Sequence, residues 1–150
     1  MQLRITAPAL LAISLLACGC GGDPSRTPVH PAGGQVLLGG KPLAKVTVAF
    51  QPVAPQGKSP EDPAASLRVA ETDDEGRFAL STYDADDGAP AGEYVVTIKP
   101  APPASVEDTD GRPPVVPRPP AALVKYGTAE TSPLKLTVKD GANKFDIDIK

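Results

Sequence analysis

An all-β fold, a seven-stranded antiparallel sandwich, is what the sequence predicts, and three observations carry that reading. Apolar residues recur with period two in short runs, no segment sustains a helical period, and turn formers punctuate the chain, with 19 Pro and 14 Gly among 150 residues and no Trp. Period-two alternation gives a strand one buried and one solvated face. Strands of that kind, separated by Gly, Pro and Asp turns, pack as two facing sheets.

The strands follow in order. "GQVLL" runs up to the Gly39-Gly40 turn, and "KVTVAF" sets Val46, Val48 and Phe50 on one face against Thr47 and Ala49 on the other. "SLRVAE" forms a weaker strand around Val69, with the alternative that 67–70 is loop and only six strands form. "RFALST" turns Phe78 and Leu80 inward, and "EYVVTIK" does the same with Tyr94, Val96 and Ile98. "LKLTVK" contributes Leu134, Leu136 and Val138, and "KFDIDIK" contributes Phe145, Ile147 and Ile149.

Two long segments, 52–66 and 100–125, fit no strand, because proline favours extended backbone and withholds the donors a ladder needs. They read as connecting loops that drape over the sandwich. A ligand for a proline-binding module is the alternative for "PAPPASVEDTDGRPPVVPRPP".

The N-terminus has a separate logic. Arg4 is the only charge before an apolar run over 5–17, which Pro8 interrupts. A positive start, an apolar middle of about 7 to 15 residues and small residues at the exit describe an export signal, whereas a membrane-spanning helix needs about 20 apolar residues. Residues 1–17 are therefore expected to be a signal peptide that is removed. Residues 18–28, "CGCGGDPSRTP", have small and polar residues with no apolar period and read as a flexible tether. Residues 29–150 form the folded domain.

The exit reads Leu15-Leu16-Ala17-Cys18. This resembles the lipobox of bacterial lipoproteins, which implies a diacylglycerol thioether at Cys18, cleavage just before it and acylation of the new amino group. Cys20 is a second reading, without the aliphatic residue three positions before it. A disulfide between the two is disfavoured, since Gly19 alone separates them and no further cysteine follows.

The formal charge is −3, from 15 Lys plus Arg and 18 Asp plus Glu, with no basic run. Nucleic acid, whose phosphates need clustered cations, is excluded on that ground.

Several motifs resemble the carboxypeptidase regulatory-like, or transthyretin-like (prealbumin-like), β-sandwich domain. They are Gly34-Gln35-Val36 leading to Gly40-Lys41-Pro42-Leu43, then Val46-Thr47-Val48-Ala49-Phe50, then Thr72-Asp73 with Gly76-Arg77-Phe78, and Pro90-Ala91-Gly92-Glu93-Tyr94. The resemblance covers roughly 29–150 and implies a fold and an envelope location more than a chemistry.

The acidic clusters have two readings. In "TDDEGRF", Asp73 is expected to accept a backbone N–H two residues on, while Gly76 takes the positive φ of a tight turn. "DADDG" offers Asp84, Asp86 and Asp87 as hard oxygen ligands for calcium, but without the twelve-residue loop and its terminal bidentate Glu. Turn chemistry accounts for both clusters.

His30 is the only histidine and sits beside Pro31, where a solvated loop residue is expected rather than a general base. A lone histidine and cysteines confined to the anchor leave no Ser-His-Asp, Cys-His or zinc constellation. Sugar sites need exposed aromatic platforms, and only Tyr83 and Tyr126 are not assigned to the core. The expectation is a lipid-anchored, non-enzymatic module with no cofactor, exported and held at a bacterial membrane. Its partners would be the membrane and an envelope protein; a carbohydrate or other envelope ligand is the alternative.

Overall fold

The structure is a computed structural model that describes residues 24–101 and 120–150. The expected signal peptide, Cys18 and the centre of the second Pro-rich segment lie outside the described residues. The described residues form eight strands: β1 (Ala32–Leu38), β2 (Lys41–Pro42), β3 (Val46–Pro52), β4 (Arg68–Glu71), β5 (Arg77–Ala79), β6 (Gly92–Pro100), β7 (Lys135–Val138) and β8 (Asn143–Ile149). All seven expected segments are strands. The eighth, β2, is a two-residue return after the Gly39-Gly40 turn that pairs Leu37 with Pro42 and Leu38 with Lys41.

The strands make two four-stranded sheets that face each other as a β-sandwich. One has the order β4-β3-β6-β7, antiparallel throughout, with Phe50 opposite both Arg68 and Val96. In the other, β1 pairs antiparallel with β5 and β2 and parallel with β8, from Ala32↔Asn143 to Leu38↔Ile149. The expected all-antiparallel sandwich is corrected here. Alternation assigns faces but carries no information on strand direction, and β8 reaches β1 only after crossing over from the other sheet, which is how parallel neighbours arise.

That parallel pair is unusually close at one point. A Cβ on Gly34 would lie 1.9 Å from the Phe145 carbonyl oxygen, so only glycine fits there. Gly76 answers a different demand: it closes the Asp73 turn at φ +73°, and a Cβ there would lie 2.7 Å from the Val36 carbonyl oxygen. Asp73 Oδ1 accepts the Glu75 and Arg77 N–H groups at 3.0 and 2.7 Å, as the turn reading requires. Thr72 beside it is buried and bridges to the 43–46 segment, donating to the Leu43 carbonyl and accepting from the Val46 N–H.

The core fills the space between the sheets. Val36, Phe78, Ile147 and Ile149 meet Val46, Val48, Tyr94, Val96 and Ile98, all at least nine-tenths buried. Phe50, fully buried, stands at the centre: its ring lies 5.9 Å from Phe78, 5.9 Å from Tyr94 and 5.7 Å from Phe145. Tilted and edge-on rings at that spacing are the favourable arrangement for aromatic quadrupoles. Phe78 and Phe145 belong to one sheet and Phe50 and Tyr94 to the other, so the cluster joins the layers.

β4 is a strand, as expected, and on it Arg68 is buried and Val69 is exposed, because residues 67 and 69 share the outward parity of Gln51 on β3. Two expectations change. The 100–125 segment does not end as loop, since 121–126 form a 3₁₀ helix that buries Leu123 and Tyr126 against the core. Tyr126 is thus no surface platform. Finally, residues 24–28, the described part of the expected tether, are pinned to the sandwich as set out below.

Truncating Phe78 to Ala should cost about 3–5 kcal/mol, the range for deleting a buried aromatic ring. A thermal unfolding curve superimposable on that of the parent would contradict the placement of Phe78 in the inter-sheet cluster.

Candidate functional site

Polar side chains gather at one end of the sandwich, where the chain entry, the 52–67 loop and the 81–88 loop meet. The sequence Glu61-Asp62-Pro63 sets the geometry of the middle segment. Proline supplies the φ of a first helical position and needs no donor, and an aspartate before it caps the turn. A 3₁₀ turn forms over Pro63–Ala65, with Asp62 Oδ1 accepting the Ala64 N–H at 2.9 Å.

The cap does more than close its own turn. Asp62 Oδ1 also accepts the Tyr83 hydroxyl at 2.6 Å, and Oδ2 accepts the Lys58 N–H and the Thr27 hydroxyl, both at 2.8 Å. Four donors from three segments therefore converge on one buried carboxylate. The Tyr83 oxygen in turn accepts the Thr27 N–H at 2.9 Å. Next to it, the Arg26 guanidinium lies 5.0 Å from the Tyr83 ring centre and 2.8 Å from Asp84, and the Lys58 ammonium donates to the Pro24 carbonyl. The Tyr83 hydroxyl above all, then the Lys58 and Ala64 amides and the Thr27 hydroxyl, hold the Asp62 carboxyl far below the ordinary aspartate range, against the opposing effect of burial.

The third segment is shaped by Asp87. Its carboxylate accepts the N–H groups of Thr82, Tyr83 and Asp84 at 2.6, 2.9 and 3.1 Å, which aims Tyr83 at Asp62. Asp86 takes φ +58° and gives its own N–H to the Ser81 hydroxyl. Asp84, Asp86 and Asp87 are neighbours in sequence without converging as a ligand set. Among the described residues, no three His, Cys, Asp or Glu side chains gather as a metal site.

Beneath this cap lies Arg68. Its side chain enters from β4 on the face of Phe50, and its Nε and Nη2 are buried without an acceptor. Burial lowers the guanidinium pKa from its usual value, opposed by Tyr94, Tyr83, Asp62 and Asp87. The same burial raises the Tyr94 phenol, opposed by Arg68 and a bond to Gln56. The Tyr94 hydroxyl meets the Pro90 carbonyl at 2.8 Å and Gln56 Oε1 at 2.5 Å, tying the start of β6 back to its own loop as tyrosine corners do in Greek-key sandwiches.

His30 corrects its expectation as well. It forms a bridge with Ala89 and its side chain is only 21% exposed. Nδ1 accepts the Gly141 N–H at 3.1 Å, and Nε2 lies 3.2 Å from Asp140. Both nitrogens are engaged.

Chemically, the arrangement is a latch. A carboxylate that already accepts four hydrogen bonds, and whose proton affinity they lower, is a poor base and a poor nucleophile. The 61–63 sequence carries a legible sign of the Asp62 cap, an Asp-Pro step, which the reading of 52–66 as loop passed over. Arg68 has no such sign, since Leu67 and Val69 beside it are the residues a pattern would bury. Comparison of the chain with protein-family models, with curated proteins and with solved structures finds no match.

The substitution Asp62→Asn tests the latch through pH. A depressed carboxyl contributes stability that is fully present above about pH 4, the ordinary aspartate value, and is lost as pH falls towards its folded value. The melting temperature of the Asp62→Asn variant should fall below that of the parent at pH 7, and the gap should narrow below about pH 4. A gap that is absent at neutral pH, or that stays constant into strong acid, would contradict it.

Proposed function

We propose that this chain is a lipid-anchored, non-enzymatic cell-envelope β-sandwich, of the carboxypeptidase regulatory-like (transthyretin-like) kind that its motifs resemble, serving as a structural or protein-interaction module. The observation that carries the reading is that, among the described residues, the polar groups gathered at the loop end and His30 are spent on contacts within the fold. Asp62 accepts four donors, Asp87 accepts three backbone amides, and His30 has both nitrogens engaged. Groups so committed position loops; they do not turn over a substrate.

The same accounting weighs on the carbohydrate alternative. Tyr126 lies in the core, and the Tyr83 ring is covered by Arg26 while its hydroxyl is bonded to Asp62. Neither aromatic is free to serve as a stacking platform. Protein contact remains the better supported role, since sheet edges at β4, β7 and β8 have no strand beyond them among the described residues. On β8 the outward Lys144, Asp146 and Asp148, with Lys150 just beyond, alternate with the core residues, the kind of charged edge that discourages indiscriminate strand pairing.

Anchoring through Cys18 rests on the Arg4 start, the apolar run and Leu15-Leu16-Ala17. Several acyl chains on one residue hold a protein to a bilayer where one chain gives only marginal binding, since each buried methylene contributes about 0.8 kcal/mol. Mass spectrometry of the mature N-terminus from membranes should find Cys18 as the first residue, carrying the lipid. Cys18→Ser should abolish lipid labelling and Cys20→Ser should leave it intact; an unmodified Cys18 or a lipidated Cys20 overturns the assignment.

A further inference from the structure

We infer that the sandwich rests on its own membrane through an apolar stripe formed by Val53, Leu67 and Val69. The inference builds on the anchoring at Cys18 and adds an orientation to it. These three residues are 57%, 50% and 55% exposed. They lie together: Val69 on β4 and Leu67 just before it face outward because Arg68 between them points inward, and Leu67 and Val53 line one groove with Gln51, Pro52, Ala54 and Ala65. Single exposed aliphatics are ordinary on a surface, whereas a contiguous apolar patch marks a contact.

The covalent chain says what covers it. Six residue steps separate Cys18 from Pro24, a span of at most about 22 Å when fully extended. Pro24 is not free to wander, because its carbonyl is held by the Lys58 ammonium and the next residues are fastened by Arg26 to Asp84 and by Thr27 to Asp62 and Tyr83. Lys58 and Val53 belong to the same loop, whose far end reaches Leu67. Lipid and stripe therefore emerge at the same end of the molecule. A patch too small to bind a bilayer from solution suffices when a tether this short holds it at high local concentration. Among the described residues, the other exposed large aliphatic, Val124, sits on the 3₁₀ helix at Ala121–Tyr126 and not on the 52–67 loop or β4. The opposite end of β1 presents the Gly39-Gly40-Lys41 turn, which carries no apolar side chain.

The test uses the full acylated chain with Cys20→Ser, so that the only free thiol is one introduced at Leu67→Cys or, for comparison, at Lys41→Cys. Each is labelled with a nitrobenzoxadiazole dye, and the protein is reconstituted in phosphatidylethanolamine–phosphatidylglycerol vesicles containing doxyl-labelled lipid. The dye at position 67 should be quenched by the doxyl lipid at least threefold more than the dye at 41, and Val53→Asp should bring the two together. Equal quenching on a chain whose Cys18 is acylated overturns the docking and leaves the anchor standing. Protection of position 67 from aqueous iodide without doxyl quenching also overturns it and assigns the stripe to a protein, including a second copy of this chain. A chain recovered without lipid on Cys18 overturns both.

Discussion

The loop end of this sandwich depends on a single carboxylate. Asp62 gathers a turn amide, a loop amide, a tyrosine hydroxyl and a threonine hydroxyl from three parts of the chain. Backbone and side-chain donors buried without an acceptor are costly, so each of those segments is positioned by where its donor must go. Moving Asp62 would release the chain entry at Thr27, unfasten the 52–67 loop and free the Tyr83 hydroxyl together. The aromatic cluster around Phe50 joins the sheets; Asp62 decides what is built on top of them.

The cap also explains how the fold tolerates Arg68. A guanidinium inside a core is ordinarily paired and hydrogen-bonded. Here Nε and Nη2 lack acceptors, and the negative charge that opposes the cost near neutral pH is that of the Asp62 and Asp87 carboxylates. They oppose the cost of the buried charge while their oxygens accept from other donors. The inward turn of Arg68 is what leaves Leu67 and Val69 outside, so the buried charge and the exposed stripe are two sides of the same strand parity.

Much of the architecture was legible in the sequence because alternation is a local signal. Val46, Val48 and Phe50, or Tyr94, Val96 and Ile98, declare their buried face within six residues, and the structure buries them. Asp73 and Gly76 were equally readable, since turn chemistry is confined to a few neighbours. Non-local geometry was not. The parallel pairing of β1 with β8 joins residues more than a hundred positions apart, and Tyr126 enters the core only because a 3₁₀ helix brings it there. The β4 strand was legible but its faces were not: the residues around Arg68 that are apolar, Leu67 and Val69, are the ones that stay outside. The candidate site was the least legible part, because Thr27, Asp62 and Tyr83 are polar residues in three separate loops whose association no spacing encodes.

Amide hydrogen exchange at Lys58 and Ala64 tests the central claim, that the Asp62 carboxylate fixes the loop end, more directly than any change of sequence. Both N–H groups lie in the 52–67 loop outside any sheet, and both donate to Asp62. Such positions exchange near the rate of an unstructured peptide unless a specific hydrogen bond is held continuously. At neutral pH both amides should be protected by at least a hundredfold and should lose protection together. Exchange of either at the unprotected rate, with the Val48 and Val96 amides still protected, would contradict the account.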